Sequence, residues 1–216
     1  MIGRFSKLNQ ENRMTPKTSL EYIEKTANDL GVSHIANEVI GDGRFYLWSG
    51  SSRREQHHYG KHGLVTHTAE VIMLCLANDA ILGCGMSHRE LFLAALFHDC
   101  GKMWDYGPSG PEGHPNYDTW VSMPHKRSIH HISRSAIQWN LAAEKWNLAK
   151  PATIDDFIKS IDVDEITHAI LSHHGQRAWG SPVAPKSGLA WMLHLCDGIS
   201  ARMNDCDSWD PYSGTK

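Results

Sequence analysis

The sequence has no apolar run approaching the roughly 20 residues that a membrane-spanning helix needs. Its longest apolar stretch, Val71 to Met86, is interrupted by Asn78, Asp79, Gly83 and Gly85. The first residues, Met1 to Thr18, are polar and lack the apolar segment of a secretory signal. A cytoplasmic protein with no membrane contact is therefore expected. CxxC spacing is missing too. The 5 cysteines, Cys75, Cys84, Cys100, Cys196 and Cys206, are odd in number and far apart. That pattern disfavours zinc knuckles and a disulfide framework, and buried reduced thiols are expected. Repeats and low-complexity segments are absent. So is a basic stripe: the formal net charge is −3 and acids and bases are interspersed, so long nucleic acid is not an expected partner.

What the chain has in excess is histidine, 15 in 216 residues. Histidine is the commonest protein metal ligand, so its placement matters. A length of 216 residues with 41% hydrophobic and 21% charged side chains is ordinary for one globular domain with its own core.

The apolar spacing is helical almost throughout. Leu20, Ile23, Ala27 and Leu30 predict a helix over 20–30, and a second is expected over 66–82. Residues 33–60 read as loop with short extended pieces. Ser87-His88-Arg89-Glu90 is a capping box that opens a helix running to Asp99, with Gly101 suited to its end. Residues 104–127, rich in proline and glycine, read as a long irregular loop of the kind that is usually functional. Further helices are expected over 128–146, from an Asp162 cap through Ser172, and from a Ser187 cap to about Met203. Pro151 closes the first of these. The sum is an all-α bundle. Apolar helix faces can serve a core or an interface, which leaves an oligomer open.

The histidines fall at helix ends and in apolar surroundings. His67 opens one helix. His98-Asp99 follows the apolar run Leu91 to Phe97. His130-His131, His173-His174 and Asp197 lie on three further helices, Asp197 in the otherwise apolar segment Trp191 to Asp197. A carboxylate in such a segment is costly unless it is paired or binds a metal. A lone buried histidine is more often a hydrogen-bonded core residue, and a lone aspartate near a helix end is more often a cap. That plainer reading is preferred for His88, His114, His168 and His194. It is also preferred for His57, His58 and His125, although these flank the expected site and His58 is kept as a candidate substrate contact. The joint pattern H…HD…H…HH…D points instead to a metal site of mixed nitrogen and oxygen donors. Such a site, without thiolate, suits Mn²⁺, Fe²⁺, Co²⁺, Ni²⁺ or Zn²⁺ better than Mg²⁺ or Ca²⁺.

His67, His98-Asp99 and Asp197 match the defining pattern of the HD superfamily of metal-dependent phosphohydrolases, and His98-Asp99-Cys100-Gly101-Lys102 resembles its HDxGK signature. More narrowly, residues 55–204 resemble the HD domain of bacterial YhaM-type 3′–5′ exoribonucleases. The resembling stretches are His57 to Thr68, Leu96 to Lys102, Ile129 to Ser133, Ile170 to Gly175 with Trp179-Gly180-Ser181-Pro182 and Pro185, and Leu193 to Asn204. The expected organisation is an N-terminal helix and extended segment over 1–54 packing on the core, an HD domain over 55–204, and a loose tail over 205–216. That exonuclease type carries an OB-like nucleic-acid-binding domain before the HD domain, whereas residues 1–54 are all that precede the match here. Nucleotides or short oligonucleotides are therefore the expected substrates.

The resemblance implies an all-α HD-domain helical bundle with a dinuclear metal site in its core. It implies that His67, His98, Asp99 and Asp197 hold one ion, that Asp99 bridges, and that His131, His173 and His174 hold the other, with His130 outside. Two divalent transition-metal ions are implied, manganese foremost. The implied reaction is phosphodiester cleavage by a metal-bound hydroxide, with Asp99 and Lys102 as the catalytic pair. Lys102 is read equally well as a phosphate contact or as a cation answering a helix dipole. Lys126, Arg127 and Trp179 are candidate substrate contacts, and Trp104, Tyr106, Tyr117 and Trp120 are further aromatics beside the site. The alternatives are a small-nucleotide or cyclic-nucleotide phosphohydrolase, a mixed-valence di-iron HD oxygenase, and a non-catalytic binding domain. The extra ligand in His173-His174 speaks against the oxygenase, and the complete ligand set against the binding domain.

Overall fold

The computed structural model describes residues 14–51, 53–54, 58–114, 119–148 and 160–202. His57, Tyr117, Pro151, Cys206 and the tail over 205–216 lie outside the described residues. The architecture is a helical bundle. Its elements are α1 (Pro16–Asp29), α2 (Ser33–Ile40), α3 (Gly43–Leu47), α4 (Gly63–Leu82), α5 (His88–Phe97), α6 (Lys102–Asp105), β1 (Tyr106–Pro108), β2 (Trp120–Ser122), α7 (His125–Ser128), α8 (His131–Lys145), α9 (Val163–Ser172), a 3₁₀ turn (Arg177–Trp179) and α10 (Gly188–Arg202).

Several helix starts are set by side-chain caps. Thr15 Oγ1 accepts from Thr18 N at 3.2 Å, with Pro16 at the first helical position of α1. Ser87 Oγ accepts from Glu90 N at 3.4 Å at the head of α5. The other half of that capping box is spent elsewhere: Glu90 Oε1 accepts from Asp162 N at 2.9 Å, tying α5 to the cap of α9. Asp162 Oδ1 accepts from Glu165 N at 2.9 Å, and Ser187 Oγ from Ala190 N at 3.2 Å.

Leu91 to Phe97 are all buried, so α5 is apolar on every side and runs through the middle of the bundle. The other helices pack around it: α4, α9 and α10 against α5, α10 also against α4 and α9, α8 against α9, and α1 against α4. Trp139 on α8 is fully buried, meets Phe97 edge-on at 5.3 Å and donates from Nε1 to Val163 O at 3.0 Å. Ile23 and Ala27 of α1 lie in the same apolar core. Among the described residues α4 is long and apolar enough to cross a membrane by length and composition, but half of it is buried in the bundle. Cys75, Cys100 and Cys196 are buried free thiols and Cys84 is an exposed one.

Two readings of the sequence need correction. Residues 33–60 are not simply loop: they hold α2, whose Ile35, Ala36 and Val39 are buried, and α3, capped by Asp42. These helices are short, and burial rather than intrinsic propensity holds them. Residues 104–127 are not wholly irregular either. They form an antiparallel β1–β2 pair, with Tyr106 opposite Ser122, and the short helices α6 and α7.

Candidate metal centre

The ends of four helices and the middle of a fifth converge on one buried pocket. His67 lies in the first turns of α4. His98 caps the C-terminus of α5 and Asp99 follows it. His131 is the first residue of α8, His173 caps the C-terminus of α9 with His174 next, and Asp197 lies within α10. His67, His98, Asp99, His131 and His173 are all essentially buried. The turn from Asp99 into α6 passes so close to His131 that a Cβ on Gly101 would sit 2.2 Å from His131 O. Only glycine fits there.

Asp99 stands between two sets of imidazoles. Its Oδ2 is 3.2 Å from His67 Nε2 and 3.4 Å from His98 Nε2. Its Oδ1 is 3.5 Å from His131 Nε2 and 3.6 Å from His173 Nε2. Asp197 Oδ1 completes the first set, 3.1 Å from His67 Nε2 and 3.8 Å from His98 Nε2. His67, His98, Asp99 and Asp197 can hold one metal ion, and His131, His173 and His174 another, the donor atoms of each group lying within 4.8 Å of one another. A third group, Asp105, His130 and His131, meets the same test.

The four buried imidazoles are each anchored through Nδ1, which leaves Nε2 to face inward. His98 Nδ1–H donates to Ala95 O and His173 Nδ1–H to Ile170 O, both at 2.7 Å. His131 Nδ1–H donates to Asp105 Oδ2 at 3.1 Å. His67 Nδ1–H donates to Ser200 Oγ at 2.9 Å, and that hydroxyl donates onward to Glu70 Oε2 at 2.7 Å. A donor on Nδ1 puts the lone pair on Nε2, the arrangement metal-ligating histidines use. His131 Nε2, His173 Nε2 and Asp99 Oδ1 are buried with no hydrogen-bond partner among the described residues. Buried polar atoms without partners are costly. A cation in the pocket would satisfy all three at once, so the residues fit a metal.

For the second set of imidazoles the electrostatics agree, whereas without a cation the two carboxylates favour a charged His67, whose proton a metal ion would have to displace. Burial pushes His131 down to about 4 and His174 down to about 2, the neighbouring imidazoles adding to the effect on His174. Both rings are thus neutral donors near pH 7. Burial disfavours charge on His67 as well, but Asp197 and Asp99 outweigh it and raise that ring to about 9. Burial alone would raise Asp99; Lys102 and the imidazoles around it hold it well below the usual carboxylate range. Lys102 pairs directly with Asp99 Oδ2.

The other sequence-expected residues fall on the periphery. Lys126 Nζ lies 4.7 Å over the Tyr106 ring and 3.4 Å from its hydroxyl, and Arg127 is exposed nearby. His58, expected as a substrate contact, instead faces the support of His67: its Nε2 is 3.2 Å from both Glu70 Oε2 and Ser200 Oγ. Trp104 lies under the guanidinium groups of Arg44 at 4.4 Å and Arg134 at 5.3 Å. Trp120 is buried against Trp48 at 5.3 Å and pins its loop.

Sequence reasoning missed Asp105, Glu70 and Ser200. Asp105 binds His131 on one side and His125 Nδ1 at 2.7 Å on the other. A carboxylate between Trp104 and Tyr106 is the same signal that singled out Asp197. Glu70 lies one helical turn from His67 and Ser200 one turn from Asp197, so helical spacing would have found both.

Fold and pocket together define an all-α bundle with a buried histidine–carboxylate centre able to hold metal ions. The chain is related to bacterial proteins named 3′–5′ exoribonuclease YhaM. It is 31% identical over 153 residues to that of Bacillus subtilis (strain 168), covering 71% of this chain and 43% of the relative. It is 30% identical over 190 residues to that of Bacillus velezensis, covering 87% and 53%. For the Bacillus licheniformis protein the identity is 32% over 154 residues, covering 71% and 43%. The chain thus spans about half the length of the curated relatives it matches. No protein-family model and no solved structure matches it.

Proposed function

We propose that the chain is a metal-dependent phosphohydrolase that cleaves phosphodiester bonds of nucleotides or short oligonucleotides, in the manner of a 3′–5′ exonuclease. The observation that carries this reading is Asp99, whose two oxygens face two separate imidazole sets across one buried pocket. The relatives' name, 3′–5′ exoribonuclease, supports the reaction class.

In this reading His67, His98, Asp99 and Asp197 hold one ion, and Asp99, His131, His173 and His174 a second, with manganese the favoured metal. Two divalent cations held by these residues would supply activation of a water near neutral pH and charge stabilisation at a phosphoryl group. The chain's own groups do the rest. Ser200, Glu70 and Asp105 fix the ring orientations. Lys102, charged and held at the pocket by Asp99, swings to a phosphoryl or leaving-group oxygen. Lys126 and Arg127 meet a phosphate further along the substrate. The buried free thiols agree with a reducing, cytoplasmic setting.

The test is an assay of the manganese-loaded protein on short RNA, short DNA, cyclic dinucleotides and mononucleotides, with a chelator and Asp99→Asn as controls. Metal-dependent cleavage of at least one phosphodiester, lost in Asp99→Asn, is the expected result. Full activity in that variant overturns the reading. Cleavage of mononucleotides alone, insensitive to salt, replaces the oligonucleotide substrate with a small nucleotide.

A further inference from the structure

Trp179 is 60% exposed. A tryptophan that only pins a loop is covered, as Trp120 is at 4%. Trp179 nevertheless has a defined seat. Its ring stacks on His194 at 6.0 Å with the planes 27° apart, and the edge of Trp191, 48% exposed on α10, meets the same imidazole at 5.7 Å. Trp179 is thus seated on protein while most of it stays open to water.

This seat is built into the metal centre. His194 Nδ1–H donates to His173 O at 2.8 Å, so the stack is hydrogen-bonded to the backbone of a proposed ligand. Gly175, next after His174, has φ +90°, and a Cβ there would lie 2.5 Å from His194 Cε1 and 2.9 Å from Trp179 Cε3. Any other residue would push the rings apart. After Trp179 comes Gly180, where a Cβ would lie 3.6 Å from His174 Nδ1. The loop leaving the ligand pair is therefore shaped to present a flat aromatic face beside the phosphate-cleaving pocket.

We propose that Trp179, seated on His194 and flanked by Trp191, is a stacking platform for a nucleobase of a single-stranded oligonucleotide whose phosphate lies in the metal centre. This rests on the phosphohydrolase reading and narrows it: the ligand is a chain with bases, not a bare phosphodiester. Every base has a π-face, so the platform gives affinity with little sequence preference.

The experiment is fluorescence anisotropy of end-labelled hexauridylate, and of an abasic sugar-phosphate hexamer of the same length, on the full chain in chelator, where nothing is cleaved. The base-bearing chain should bind about tenfold more tightly, the size of one lost stacking contact. Trp179→Ala should weaken its binding about tenfold and leave the abasic chain unchanged, and Trp179→Phe should restore most of the difference. Circular dichroism of each variant reports on folding. Equal binding of the two hexamers, or Trp179→Ala without effect, overturns the proposal. So does self-association of the wild type that Trp191→Ala abolishes while hexauridylate binding stays unchanged, because the face then serves a second copy of the chain. Failure of the hydrolytic reading shows elsewhere: the base preference persists while manganese-loaded protein cleaves nothing.

Discussion

Asp105 Oδ2 accepts hydrogen bonds from both the backbone N–H of His131, at 2.8 Å, and its ring Nδ1–H, at 3.1 Å. One carboxylate thus sets where α8 begins and which nitrogen of its first residue faces the pocket. The other oxygen is held by His125, whose Nε2 accepts from Arg134 Nε at 3.2 Å. Asp105→Asn should lower affinity for the second ion about 10- to 100-fold and leave the first nearly unchanged, because only His131 loses its orienting partner. Titration with Mn²⁺ followed by electron paramagnetic resonance separates the two sites. Equal weakening of both, or of neither, refutes the assignment.

Lys102→Ala should lower turnover while metal content stays intact. The side chain contacts Asp99 through charge but contributes no donor lone pair to a cation. Elemental analysis beside steady-state kinetics checks this. Loss of bound metal would reassign Lys102 to holding Asp99 in place.

Divalent metal should stabilise the fold. The pocket collects buried donors without partners, and a ligand at 100 times its dissociation constant contributes about 2.7 kcal/mol. For a chain of this size that is about 5–10 °C in Tm. Scanning calorimetry with Mn²⁺ and with chelator should show the rise, and Asp99→Asn should reduce it sharply.

Trp139→Ala should cost about 3–5 kcal/mol. The ring is fully buried against Phe97 and its Nε1–H is spent on Val163 O, so truncation leaves a cavity and removes a hydrogen bond between α8 and α9. Urea denaturation measures the loss. A change below about 1 kcal/mol would mean that the two helices repack without it.

Much of the site was legible because its signals are local. Asp99 and Asp197 sit in apolar segments where a carboxylate needs a partner, and the caps at Ser87, Asp162 and Ser187 mark where the surrounding helices start. Asp105 did not stand out in the same way because it lies in a stretch whose prolines and glycines read as loop. The short helices α2 and α3 depend on burial of Ile35, Val39 and Phe45 against distant elements, information a local window does not carry. The direction of His58 was hidden for another reason: its neighbours Glu70 and Ser200 come from two helices far apart in the chain.

Anomalous diffraction from crystals soaked in Mn²⁺ tests the paired-cation centre most directly. Two peaks are expected in the buried pocket, one on either side of Asp99, the first among His67, His98 and Asp197 and the second among His131, His173 and His174. An empty pocket after soaking, with manganese found only at the surface, would contradict it.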